Sequence, residues 1–318
     1  MRNNVIRDCG QAGIVGSLGA VFSTICNNHI FDIWTKRTFA GAEMAGIKIH
    51  APIDMLITEN RIHNTGRGIW IDWMGQGTRI SRNVLYNNTT DDLFTECNHG
   101  PIMVDNNLFL SESAIKDWSE GGAFAHNLIA GRIVYGDITA RFTPYHFPHS
   151  TKVAGLSNIL GGDNCFYNNI FIKHDYSDKN VDMDRVDALF YGLKGYEIAG
   201  FRNFAQGNAY YNGAEPDKNE WTYSFFPNDK PVFEIEDTES GLFLTFKIHQ
   251  LPDNLKTTVV ATAGLGVTIV SEAVFENPDG SSLVLNRDYF GNARSETTPT
   301  PGPFEALKIG ENRFKIWE

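Results

Sequence analysis

Asp72 and Glu96 each stand 11 residues ahead of an asparagine, Asn83 and Asn107, that opens the same short pattern: asparagine, any residue, apolar residue. If the pattern is a structural repeat, the two acids occupy equivalent positions on neighbouring copies. In GIWIDW (68–73), Ile69 and Ile71 alternate with Trp70 and Asp72, and in DLFTEC (92–97) Glu96 is in phase with Phe94. In a strand, that alternation sends the apolar residues to one face and the acids to the other. His50 of GIKIHA (46–51) joins the column if one residue is missing before Asn60, and Ser17 extends it, so the outward stack reads Ser17, His50, Asp72, Glu96. Adjacent strands lie about 4.8 Å apart. Two carboxylates so placed repel, and one takes up a proton unless a cation intervenes. One ionised and one protonated carboxyl about 5–5.5 Å apart can hydrolyse a glycosidic bond with retention, whereas inversion needs roughly 6.5–9.5 Å. Two other readings stay open: a surface acidic ladder relieved by Arg79 or Lys48, and a bound calcium ion.

The residues around the pair favour sugar. Trp70, Trp73, Phe94 and Trp118 lie on or near the same face, and aromatic rings with a polar handle suit pyranose rings. Gln76, Asn98 and His99 are candidates to bond hydroxyls. The segment RFTPYHFPHS (141–150) reads as a loop beside the groove, with Arg141, Tyr145, His146 and His149 lining a pocket. No carboxylate or cysteine completes a metal spacing with those histidines, so no metal ligands are assigned. His126 precedes an anchor and reads as structural.

The elements that hold these residues come from the repeat. The anchors are Asn4, Asn28, Asn60, Asn83, Asn107, Asn127, Asn169 and Asn208. Two residues on stand Ile6, Ile30, Ile62, Leu85, Phe109, Ile129, Phe171 and Tyr210; three residues before stand Ile25, Ile57, Ile80, Val104, Phe124 and Phe166. Most anchor spacings fit one coil of a solenoid, and the longer ones fit a coil plus an insertion or two coils. Asparagine tolerates a left-handed turn, and its amides stack into a ladder. The linked apolar residues supply a continuous core. The pattern predicts an all-β chain: a right-handed parallel β-helix over residues 1–218 that carries the acidic face. A β-rich, sandwich-like region follows over 219–318. AEPDKNE (214–220) reads as the linker between them, and VFEIED, LFLTFKIH, TTVVAT, GVTIVSE and SSLVLN read as strands of the second region. Met1 enters directly on a repeat, so residues 1–30 are expected to be covered by another copy or a partner chain, or to be poorly ordered, and a homo-oligomer is expected.

With 318 residues and a net charge of −11, the chain does not have the basic face that nucleic acid or an anionic membrane requires. No apolar run is long enough to span a bilayer, and MRNNVIRDCG has no apolar leader segment, which leaves cytoplasmic and periplasmic locations open. Cys9, Cys26, Cys97 and Cys165 make neither a zinc spacing nor a disulfide framework and read as free thiols.

Across GAEMAGIKIH (41–50), GIWIDWMGQGTRISRN (68–83), DLFTECNHGPIMVDNNLFLS (92–111) and GGAFAHNLIAG (121–131), the chain resembles glycoside hydrolase family 120, the β-xylosidase family. The resemblance covers residues 1–215 and extends toward the tail. It implies a β-helix with a β-sandwich domain, and a retaining mechanism with Asp72 as nucleophile and Glu96 as acid/base. It also implies that Glu43 holds substrate hydroxyls, with His50 and Trp73 nearby. Members of that family are longer, and this chain is similar to their C-terminal half. The expected function is a retaining exo-glycosidase acting on β-xylosides or similar small glycosides in xylan degradation, with no cofactor apart from the competing calcium reading. A polysaccharide lyase and a non-catalytic carbohydrate-binding solenoid are the alternatives. A lyase would need cationic residues where this face is acidic and aromatic.

Overall fold

The computed structural model describes residues 1–38, 43–173, 188–253 and 255–318. It is a right-handed parallel β-helix built of three sheets. The first runs from Val5–Arg7 through Arg61–His63 and Val84–Tyr86 to Asn208–Tyr211 and Tyr223–Phe226. The second contains Ile14–Ser17, Ala45–His50, Arg67–Asp72, Asp91–Glu96, Ser113–Trp118 and Arg132–Tyr135, with an antiparallel edge at Ala188–Phe190. The third runs from Thr24–Cys26 to Phe204–Gln206. No helix of the described residues is long and apolar enough to cross a membrane.

The expected columns form. Ile25, Ile57, Ile80, Val104, Phe124 and Phe166 are in register coil by coil. So are Ile6, Ile30, Ile62, Leu85, Phe109, Ile129, Phe171 and Tyr210. From Asn4 to Asn208, the backbone N–H and Nδ2 of each anchor donate to Oδ1 of the next, at 2.8–3.0 Å. One detail differs from expectation. The left-handed residue at this corner is the one before the anchor: Asn27, Glu59, Arg82, Asn106, His126 and Asn168 have φ near +50 to +60°, and the anchors do not. The ladder fixes the anchor's amide, so the turn falls on its predecessor.

The ladder ends on a carboxylate. Glu220 accepts from Asn208 N and Nδ2 at 3.2 and 2.8 Å, and from Tyr210 Oη. The segment 214–220, expected as a linker, is therefore ordered and carries a buried cap, and the solenoid gains its last strand beyond residue 218, at Tyr223–Phe226.

The C-terminal region completes the core from outside. Val232–Thr238, Gly241–Ile248 and Gly310–Trp317 form an antiparallel sheet. Its Leu242, Leu244, Phe246 and Ile248 pack on Val84, Leu108, Leu128, Ile170 and Ala209, the outward residues of the first sheet. Those strands are apolar on both faces because both faces are buried, which is the sandwich-like arrangement. TTVVAT, GVTIVSE and SSLVLN are not ladder strands. They run as irregular chain with isolated bridges, broken by a short helix at Thr262–Leu265 and a turn at 269–271, and Val260, Leu265, Phe275 and Leu283 cover Met103, Ala123 and Cys165 on the third sheet. Their period-two pattern reflects one-sided burial without strand pairing. The tail thus sheathes the outward faces of the first and third sheets, and the outward face of the second sheet carries the acids.

Candidate active site

Four consecutive coils build the site. His50, Asp72, Glu96 and Trp118 are in register, one per strand, with Ser17 beyond His50. The adjacent outward column is Lys48, Trp70, Phe94 and Lys116. Between them, Ile49, Ile71 and Thr95 point inward, so every second side chain reaches the face. His50, Asp72 and Glu96 are the last residues of their strands. Each precedes a left-handed residue, Ala51, Trp73 and Cys97, where the chain turns away.

Asp72 is embraced by donors. Lys48 Nζ lies 2.6 Å and His50 Nε2 2.9 Å from its Oδ2. The Lys48 side chain is buried, and its ammonium sits 3.2 Å from the centre of the Trp70 ring, a close cation–π contact. Glu43 completes the group: Oε1 is 3.7 Å from His50 Nε2, and Oε2 is 3.8 Å from Lys48 Nζ. Glu96 is held differently. Trp70 Nε1 donates to its Oε2 at 2.9 Å, while burial, and after it the charge of Asp72, push its carboxyl above the ordinary value. The two acids in one column thus meet different partners, an ammonium and an imidazole for Asp72 and an indole N–H for Glu96.

Among the described residues, four buried polar atoms around the pair have no hydrogen-bond partner: Glu43 Oε2, His50 Nδ1, Trp73 Nε1 and Trp118 Nε1. Leaving such an atom unpaired costs about 1–3 kcal/mol. Donors and acceptors gathered so closely suit a polyhydroxylated ligand that would complete them.

Of the other expected site residues, Trp73 and Arg141 come together, with the guanidinium 5.2 Å from the indole centre. Arg141 is carried by Ile138–His146, which is a strand hairpin-paired with Val153–Ile159, where a loop was expected. His99 is a correction. It is fully buried, with Nδ1 2.6 Å from Glu120 Oε1 and Nε2 3.1 Å from Thr143 O, so both nitrogens are spent on the fold and neither reaches a substrate. Gln76 is likewise taken, donating to His146 O and accepting from His146 N. Asn98 is buried and bonds Gly75 N and Ile71 O. His126 holds Thr300 O, a structural part. Arg79 pairs with Asp105, so the cation that meets the acidic column is Lys48. Among the described residues, no group of three or more His, Cys, Asp or Glu is arranged to hold a metal, and all four cysteines are free.

Residues 1–130 match a family model described as "Right handed beta helix region". A solved structure, "The complex structure of XylC with xylose", is similar to this chain at 40% identity and a TM-score of 0.88, over 99% of this chain and 51% of that one. The chain therefore spans about half the length of that relative. No curated protein matches.

Two features escaped the sequence. Lys48 was legible only as a possible relief for the acids, although an outward lysine two residues before His50, inside the otherwise apolar GIKI, was the available signal. The bond from Trp70 to Glu96 joins the two outward columns diagonally, and no spacing rule anticipates it.

Proposed function

We propose that the chain carries the catalytic face of a retaining exo-glycosidase acting on β-xylosides or similar small glycosides. The observation that carries this reading is the pair of carboxyls on adjacent coils, Asp72 beside an ammonium and Glu96 raised by burial and by the charge of Asp72. The similarity to a chain solved with xylose supports the sugar, as does the resemblance to glycoside hydrolase family 120.

In the first step Asp72 attacks the anomeric carbon while Glu96 gives its proton to the departing oxygen, leaving a glycosyl ester on Asp72. Both donors to Asp72 converge on Oδ2, which leaves Oδ1 to attack. In the second step Glu96, now ionised, takes a proton from water. The water oxygen bonds the anomeric carbon, the ester breaks, and both acids return to their starting states. The inter-coil distance of about 4.8 Å suits this double displacement better than the roughly 6.5–9.5 Å of inversion. Glu43 and Trp73 are proposed to bond sugar hydroxyls through their unpaired atoms. His50 orients Asp72, and Arg141 bounds the face beside Trp73.

The test is turnover of an aryl β-xyloside by the full chain. Asp72→Asn should abolish it for every leaving group. Glu96→Gln should spare activated aryl glycosides in the first step, and added azide should then give a β-glycosyl azide. An α-azide would reject retention, and full activity in both variants would reject the pair.

A further inference from the structure

His149 stands beyond the end of Ile138–His146, at the tip of the hairpin. Its Nδ1 is 3.0 Å from Asp54 Oδ2 and its Nε2 is 3.0 Å from Glu276 Oε2. Asp54 belongs to a solenoid turn and is buried; Glu276 belongs to the tail draped over the third sheet. Three segments far apart in sequence meet on one imidazole. Only the imidazolium has an N–H on both nitrogens, and a neutral ring turns a lone pair toward one of the carboxylates.

The same hairpin rests its inner face on the turns that follow the catalytic strands. Thr143 O meets His99 Nε2, Tyr145 packs edge-on against His99, and the His146 backbone exchanges two bonds with Gln76. Arg141 stands over Trp73. How firmly the tip is held thus bears on where Arg141 stands.

We propose that His149 is a positioning residue: clamped as an imidazolium between Asp54 and Glu276, it holds the hairpin against the solenoid and so keeps Arg141 over Trp73 beside Asp72 and Glu96. The effect on turnover rests on the proposed glycosidase activity; the clamp itself does not.

The charges around the ring are in keeping with this role. The solenoid contributes Asp54; Arg79, which lines a cavity together with Asp54 and Asp279, is committed to Asp105 and Asn277. The tail contributes Glu276 and Asp279, whose carboxyl is lowered mainly by Ser281 and in small part by His149. The hairpin contributes Lys152, whose ammonium lies over Phe147. The hydrogen bond to Glu276 raises the His149 pKa above 6.5, and burial raises that of Asp54 above 3.8. The sign follows. A raised histidine gives its full contribution below its ordinary value and loses it as pH rises through the folded value. Protonation of Asp54 removes the other half of the pair at acid pH. The clamp is therefore complete only between these two titrations.

Amide hydrogen exchange in the full chain tests this, with the imidazole of His149 titrated by NMR. The His146 amide, bonded to Gln76, should lose about tenfold in protection, corrected for intrinsic rate, as His149 loses its proton. In His149→Gln, which donates to one carboxylate only, protection should be reduced and independent of that titration. At one pH below that titration, KM for an aryl β-xyloside should be several-fold higher in His149→Gln than in the unaltered chain, while kcat stays within about twofold. Unchanged protection through the titration, or the same pH dependence in His149→Gln, would overturn the proposal. Absence of turnover in every variant, with exchange as expected, would reject the glycosidase and leave the clamp standing.

Discussion

Trp70 reaches across from its own coil to donate its indole N–H to Glu96 Oε2 at 2.9 Å, while its ring carries the Lys48 ammonium that serves Asp72. One side chain thus touches the machinery of both acids. An N–H given to a carboxylate favours the ionised form, so it works against the burial that raises Glu96. Trp70→Phe removes the donor and keeps a ring. The Glu96 carboxyl should then rise further, moving the alkaline limb of kcat/KM upward. A pH–rate profile of the variant checks this, and an unmoved limb would separate Trp70 from the proton transfer.

Lys48→Met should be costly to both fold and function. The ammonium is buried and lies within reach of Asp72 and Glu43, and its removal leaves those acids without their cation. Breaking a buried pair in this way costs about 3–5 kcal/mol. Calorimetry should show the lower melting temperature, and turnover should fall more than tenfold at temperatures where the variant remains folded.

Asp92 and Glu220 should each lower stability as pH rises from about 4 to about 7. Burial pushes Asp92 and Glu220 up to about 7, so the folded chain binds protons there that the unfolded chain has released. With raised folded values, their contribution is complete below the unfolded values and is lost as pH rises through about 7. His29 and His63, lowered to about 4, oppose this over the same window, because the unfolded imidazoles hold protons that the folded ones have released, so the part due to Glu220 is read from its variant. Denaturation at several pH values tests the slope, and Glu220→Gln should flatten part of it.

Asn83→Ala should break the ladder in its middle. Asn60 N and Nδ2 lose their shared acceptor, and the bonds of Asn83 Nδ2 to Ile57 O, Ser81 O and Asn107 Oδ1 disappear. Unsatisfied buried groups cost about 1–3 kcal/mol each, so a loss of roughly 3 kcal/mol or more is expected in urea unfolding. The neighbouring Arg82, whose φ is +53°, should by contrast accept glycine with a gain in backbone freedom from strain.

The solenoid and its acidic column were legible because both rest on exact counting: period two within a strand, and a fixed offset from each anchor. The offset that aligned Asp72 with Glu96 is the register of their strands. What stayed hidden depends on neighbours a coil away. His99 looked available because Glu120, its partner on the next coil, is 21 residues distant. The hairpin at 138–159 looked like a loop because Pro144 and Pro148 interrupt its pattern, yet Pro144 pairs with Leu156. The tail's alternation resembled strands because a draped chain and a paired one bury side chains with the same period.

The end of the asparagine ladder has a consequence for length. Each anchor is a relay that accepts from the coil before it and donates to the coil after it, so the chain of amides has a direction. A further coil spliced in among the asparagines would find a donor on one side and an acceptor on the other. Above a pH of about 7, a coil added past Glu220 would find lone pairs facing lone pairs, because the carboxylate is then ionised and has no hydrogen to hand on. That single acid is a full stop in the repeat's grammar, and an amide in its place would turn it into a comma.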